Sequence, residues 1–174
     1  MLIGTKKTLS FLVDEIQATS GIVDDFYWTD WTTTPIYLEV MFKEFVERFP
    51  KEIPERESDS VPLKDRMDYS LWMEIIGKYL YEAISNANRH GNKDIPTKKI
   101  GIDRYYGRNG VTYSISDEGQ GFDVGTTVED AIKKNAIPQH GFTLFHQADM
   151  VVAFNITGNE IYFQYLSKLP QKPL

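Results

Sequence analysis

The chain has no cysteine, so neither a disulfide framework nor a thiolate metal site is open to it. Histidine is scarce too: three residues with no carboxylate cluster around them do not make a zinc site. Lys and Arg number 19 against 25 Asp and Glu, for a net charge of −6, and they nowhere reach the density that nucleic acid demands. Direct DNA or RNA binding is therefore not expected. No apolar run approaches a membrane span, and the first residues lack the basic-then-apolar layout of a secretory signal. A cytoplasmic protein without membrane attachment is the expectation. Internal repeats and low-complexity stretches are absent as well. What is present is ordinary for a globule. The 174 residues, 41% of them hydrophobic and 25% charged, suit a single domain over 1–174 with a sizeable core.

The N-terminal 34 residues are punctuated by Gly21 and by Asp24-Asp25. Thr8 to Val13 reads as a strand, and Phe26 to Trp31 is aromatic and rich in strand formers. The two make an edge hairpin covering the core. Trp28 and Trp31 are equally readable as a partner surface, since aromatic anchors concentrate binding energy. Thr34-Pro35 then opens a helix, with Thr34 as cap and Pro35 at the first helical position. Tyr37, Val40, Met41, Phe45 and Phe49 recur at helical spacing up to Pro50. Residues 51–66, charged and carrying Pro54 and Pro62, read as an exposed connection, with Asp68 or Ser70 as the next helix cap.

A second helical pattern carries Trp72, Ile76, Tyr79, Ala83 and Ala87 as one apolar stripe and stops at Gly91-Asn92. Within it Glu82 and Asn86 are four apart and stack on one face, with His90 continuing the line. A carboxylate one turn from a carboxamide suits a base beside a neutral oxygen ligand for a hard cation, although on this stretch alone ordinary polar residues near a helix end are the favoured reading. His90 either caps the last carbonyls or lines a pocket, and packing with capping is the preferred reading. After a loop with Pro96, Lys99 to Tyr106 is a strand. Gly107 to Gly110 is a hairpin turn built on the Asn-Gly preference for positive φ. Val111, Tyr113 and Ile115 alternate with Thr112, Ser114 and Ser116, giving a strand with one buried face. A short helix is expected near Val128 to Lys134 and another from Gly141 to Gln147. Val151–Phe154 and Ile161–Leu166 are strands joined through Gly158-Asn159. Helices on one side of a mixed, mostly antiparallel sheet make an α+β fold, a two-layer α/β sandwich.

Three stretches stand in a telling order: the Glu82–Asn86 helix, then Asp117-Glu118-Gly119-Gln120-Gly121-Phe122 after a strand, then His140-Gly141-Phe142-Thr143 opening a helix. This resembles the N, G1 and G2 boxes of the GHKL (histidine-kinase-like) ATPase superfamily. Within it the chain looks most like the small anti-sigma-factor serine/threonine kinases. The resemblance covers about residues 36–166, with residues 1–34 as an N-terminal extension, and it implies the Bergerat-type sandwich with ATP and Mg²⁺ between the layers.

The resemblance also implies residue roles. Asp117 would accept the adenine amino group, while Gly119 and Gly121, followed by Phe122, would let base and ribose approach the backbone. On residues alone the same stretch reads as a plain turn after a strand. Glu82 would be the general base and Asn86 the Mg²⁺ ligand. Gly141, Phe142 and Thr143 would hold phosphates at a helix start. Departures are visible. Gln139 stands where the pattern has the first glycine of Gly-x-Gly, the lid from Phe122 to Pro138 has Lys133 and Lys134 but no arginine, and Thr157 lies just before the place expected for a base-touching threonine. These shift the weight from phosphate grip to adenine recognition. The implied partners are proteins, a sigma factor or a STAS-type anti-anti-sigma protein, and a homodimer stays open. The implied activity is a protein kinase; the alternative is a nucleotide-gated binding module with little turnover. No histidine precedes His90, so a sensor histidine kinase is not expected.

Overall fold

The computed structural model describes residues 2–3, 9–27, 33–48, 76–127 and 150–166. Six strands form one sheet: β1 (Leu2–Ile3), β2 (Ala18–Tyr27), β3 (Lys99–Gly107), β4 (Gly110–Asp117), β5 (Val151–Phe154) and β6 (Glu160–Leu166). Their order across the sheet is β1-β5-β6-β4-β3-β2. The β1–β5 pair is parallel and every other pair antiparallel, as expected of a mixed, mostly antiparallel sheet. Helices α1 (Leu9–Glu15), α2 (Thr33–Arg48) and α3 (Lys78–Asn86) accompany the sheet, a π-helical turn, Ala87–Gly91, extends α3, and residues 124–127 are helical as well.

One core lies between the sheet and the helices α2 and α3. Ile76, Tyr79, Ala83 and Ala87, four of the five residues in the helical stripe, are buried in it, and Trp72 lies outside the described residues. From the sheet, Ile100, Ile102, Tyr113, Ile115, Phe154 and Phe163 face them. The stripe on α2 is rotated from the expected one. Leu38, Met41 and Phe42 are buried while Val40 is 41% exposed, because the face toward α3 follows Leu38 and Phe42 at i, i+4. Beneath α2, Glu44 accepts a hydrogen bond from the Tyr106 hydroxyl at 2.7 Å and pairs with the buried Arg104 guanidinium at 3.0 Å.

The N-terminal segment departs from the sequence reading. Leu9–Glu15 is a helix rather than a strand. Leu9, Leu12, Val13 and Ile16 are spaced at helical steps, and that periodicity overrides the local strand preference. Its buried side chain, Leu12, packs on Ala153 and Tyr162, on the face of the sheet opposite α2 and α3. There the Gln164 amide donates to the Leu12 carbonyl at 2.8 Å. β4 is consequently buried on both faces, Thr112 and Ser114 included, where one buried face was expected. Gly21 and Asp24-Asp25 do not interrupt; they lie inside β2, paired with β3. Trp28 and Trp31 lie outside the described residues.

The β3–β4 hairpin closes with Gly107 opposite Gly110, as expected, but without positive φ at Asn109. The turn amides are held instead by the α1–β2 connection: Arg108 donates to the Gln17 carbonyl and Asn109 to that of Ile16. The β5–β6 connection runs through Gly158 and Asn159 as expected.

Candidate functional site

The end of α3 and the end of β4 meet. Glu82 and Asn86, both half-buried, face each other one turn apart, and the Asn86 amide nitrogen donates to Glu82 Oε1 at 3.3 Å. An amide whose nitrogen is committed in this way presents its oxygen as the remaining ligand. That donor set fits a hard cation, which needs few protein oxygens when waters and phosphates supply the rest. Among the described residues no group of three or more His, Asp or Glu is placed to hold a metal by itself.

Beyond Asn86 the helix widens. Asn92 donates its backbone N–H to the Ala87 carbonyl at 2.7 Å, a five-residue step that closes the π-turn. π-turns of this kind recur at functional sites, because the extra residue redirects the side chains that follow. His90 is exposed, so it does not pack into the core. Gly91 ends the turn, as read from the sequence, but for another reason. Its φ is not positive. Its missing side chain is what counts: a Cβ on Gly91 would run into the Asp117 carboxylate.

Asp117 closes β4. Its backbone N–H donates to the Asn159 carbonyl at 3.0 Å, and the Asn159 amide donates back to the Asp117 carbonyl at 3.3 Å. Oδ1 of Asp117 accepts the Gly119 N–H at 2.8 Å. The carboxylate is half-buried, and burial raises its pKa above the ordinary value, opposed by the Gly119 N–H and the charge of Lys98. A desolvated carboxylate with one oxygen bonded to backbone suits an amino donor on a ligand. Gly119 in turn lies against the Gly91 carbonyl, where a Cβ would not fit.

The rest of the motif is fixed by the β5–β6 turn. Gly121 has φ +71°, and a side chain there would meet the Thr157 carbonyl. That carbonyl accepts the Phe122 N–H at 3.0 Å. Phe122, 37% exposed, stands edge-on to Phe154 with centroids 5.5 Å apart. Thr157 spends its hydroxyl on Asn159 Oδ1 at 2.8 Å. Gln139, Gly141, Phe142 and Thr143, together with Lys133 and Lys134, lie outside the described residues, as does the helix expected near Val128 to Lys134.

The structure thus brings Glu82 to Asn86, and both through one π-turn to Asp117 and Gly119. Sequence reasoning missed three participants. From sequence Gly91 and Asn92 signal only a helix stop, and Asn159 only a strand connection. The spacing Asn155-x-x-x-Asn159 carried a signal, since the Asn155 amide donates to Asn159 Oδ1 at 2.8 Å and its own Oδ1 accepts the Asn159 N–H. Gly91 and Asn92 act through contacts between elements and left no periodic trace.

A family model, the histidine kinase-like ATPase domain, matches residues 74–165. The match spans more than half of the chain and takes in every described residue of the site. No curated protein matches the chain. Among the described residues no helix is long and apolar enough to cross a membrane.

Proposed function

The chain belongs to the histidine kinase-like ATPase family, and from that premise we propose that it binds ATP with Mg²⁺ and phosphorylates or sequesters a protein partner, in the manner of the anti-sigma-factor serine/threonine kinases it resembles. The observation that carries this reading is the closeness of the two motifs: Asp117 lies against Gly91, at the far end of the turn that begins at Asn86. In this reading Asp117 accepts the adenine amino group and Gly119 and Gly121 clear the approach, with Phe122 at the rim. Asn86 offers its amide oxygen to Mg²⁺, which would neutralise phosphate charge when bound. Gly141, Phe142 and Thr143 would add phosphate contacts.

Glu82 is the base. It takes the proton of a partner's serine or threonine hydroxyl while that oxygen attacks the γ-phosphorus. The bond to the β–γ bridging oxygen breaks, ADP leaves and the partner keeps the phosphoryl group. Such transfer depends mainly on positioning and charge, which suits a half-buried carboxylate held by Asn86. The partner would be a STAS-type anti-anti-sigma protein, and a sigma factor would be the one sequestered. A second reading, a nucleotide-gated binding module with slow turnover, is favoured by Gln139 in place of the first G2 glycine.

Calorimetry with ATP, with and without Mg²⁺, followed by radiolabel transfer to a STAS-type partner, separates the readings. Glu82→Ala is expected to keep ATP binding and abolish transfer. Binding without transfer in the wild type favours the module, and no ATP binding sinks both.

A further inference from the structure

Asn92 is fully buried, and each of its polar atoms is used. Its N–H closes the π-turn on Ala87, and its carbonyl accepts the Ile95 N–H. Its amide nitrogen donates to the Lys99 carbonyl at 2.9 Å, at the first residue of β3. Its amide oxygen accepts the Glu118 N–H at 2.9 Å, one residue beyond β4. One side chain therefore ties the end of the α3 extension to the start of one strand and the end of another. The loop that follows is held tightly. Lys93 and Asp94 both take φ of +55°, a conformation that L-residues rarely adopt in succession. Asn88, itself buried, fastens Asp94 through its amide at 2.6 Å and through its carbonyl at 3.0 Å.

We propose that Asn92 is a positioning residue for the nucleotide. It fixes the Glu82–Asn86 helix against the Asp117–Gly119 turn, so that one ATP molecule is engaged at its base and at its metal-bound phosphates together. The proposal rests on the nucleotide reading above. Asn92 itself would touch no part of the nucleotide. The Asp117 end has its own anchors in Asn159 and in the pairing of Asp117 with Ile100, so it keeps its shape without Asn92. On the helix side, core packing sets α3 on the sheet, and Asn92 adds side-chain hydrogen bonds from the end of its extension to Lys99 and Glu118. Loss of Asn92 therefore uncouples the two ends rather than erasing the base site.

Asn92→Asp tests this at constant size. The variant keeps an acceptor for Glu118 but sets a carboxylate oxygen against the Lys99 carbonyl. At pH 8 its affinity for ATP with Mg²⁺ is expected to fall by about tenfold or more, the scale of one spoiled buried polar contact. Adenosine, which needs only the Asp117 end, is expected to bind within about twofold of wild type, since its contacts are untouched. Acidification protonates the new carboxyl, restores a donor to Lys99 and returns the ATP affinity toward that of wild type at the same pH. Glu118→Pro removes the N–H that Asn92 accepts, at an exposed residue, and should give the same split relative to Glu118→Ala; it decides the matter if Asn92→Asp does not fold. Equal loss of adenosine and ATP, or loss of neither, overturns the positioning role. A wild-type chain that binds neither ligand overturns the nucleotide reading and this inference with it.

Discussion

Gly91→Ala pits two effects against each other in one methyl group. Within a helix Ala is preferred to Gly by up to about 1 kcal/mol, so propensity alone predicts a more stable protein. The added Cβ, however, would occupy the space of the Asp117 carboxylate. Forcing an atom into such a site costs about 1–3 kcal/mol if nothing moves. Here something can move, because the obstacle is the end of a side chain, and Asp117 can rotate away. In doing so it surrenders the Gly119 N–H and leaves the position from which it would meet adenine. The net change in stability is then small, a shift in Tm of a few degrees in either direction for a chain of this size. ATP affinity carries the damage, falling by about 10- to 100-fold, or about 1.4–2.7 kcal/mol. Thermal melts and calorimetry on the same samples read the two effects separately. The Gly91→Ala, Asp117→Asn double variant should bind no worse than Asp117→Asn alone, because both act on one contact. A Gly91→Ala protein that binds ATP as tightly as wild type refutes the argument.

The other predictions concern single groups. Burial raises the Asp117 pKa, so the folded chain holds a proton that the unfolded chain has released in the window just above the ordinary carboxylate range, and the ionised group opposes folding at higher pH. Asp117→Asn should therefore leave the nucleotide-free protein at least as stable at pH 7, with the gap closing as pH falls through that window, while ATP affinity drops by about 1–3 kcal/mol; a clearly less stable variant, or one with unchanged affinity, contradicts this. Asn86→Ala should abolish the Mg²⁺ dependence of ATP binding, and a dependence that persists in calorimetry would show Asn86 to be structural. Glu44→Ala removes the carboxylate that pairs with the buried Arg104 and accepts from the Tyr106 hydroxyl. Denaturant unfolding should show a loss near the lower end of the roughly 3–5 kcal/mol of a broken buried pair, since Glu44 keeps some solvent contact; a loss within 0.5 kcal/mol would count against a stabilising role, being the scale of an ordinary surface change.

Elements with one clear period were legible in the sequence. The stripe from Ile76 to Ala87 and the alternation from Val111 to Ser116 both announce their structure, and the Asn-Gly turn between β3 and β4 was legible, with the positive φ at Gly110 and not at Asn109. Short elements governed by their neighbours were not. Leu9 to Glu15 mixes β-branched and helical signals over seven residues, and the sheet face it covers decides the outcome. The buried polar face of β4 follows from that same helix, which no pattern within β4 reveals. At the site, Glu82, Asn86, Asp117 and the two glycines could be named because motif spacing records them. Asn92 and the space at Gly91 could not, since both exist only where separate elements touch.

The two N-terminal strands lie at opposite edges of the sheet, β1 beside β5 and β2 beside β3, with α1 crossing the back between them. During synthesis both strands are therefore made well before their partners, and β1 waits longer than β2. β2, ten residues long, must wait for β3, and β1 must wait for β5 near the far end of the described chain. An unpaired strand of that length is a template for pairing with the wrong chain. Asp24 and Asp25 in its middle put two like charges where a neighbouring nascent chain would have to dock, and so act as gatekeepers until the proper partner is made. The pair that looked like an interruption in the sequence then serves the interval before the fold exists.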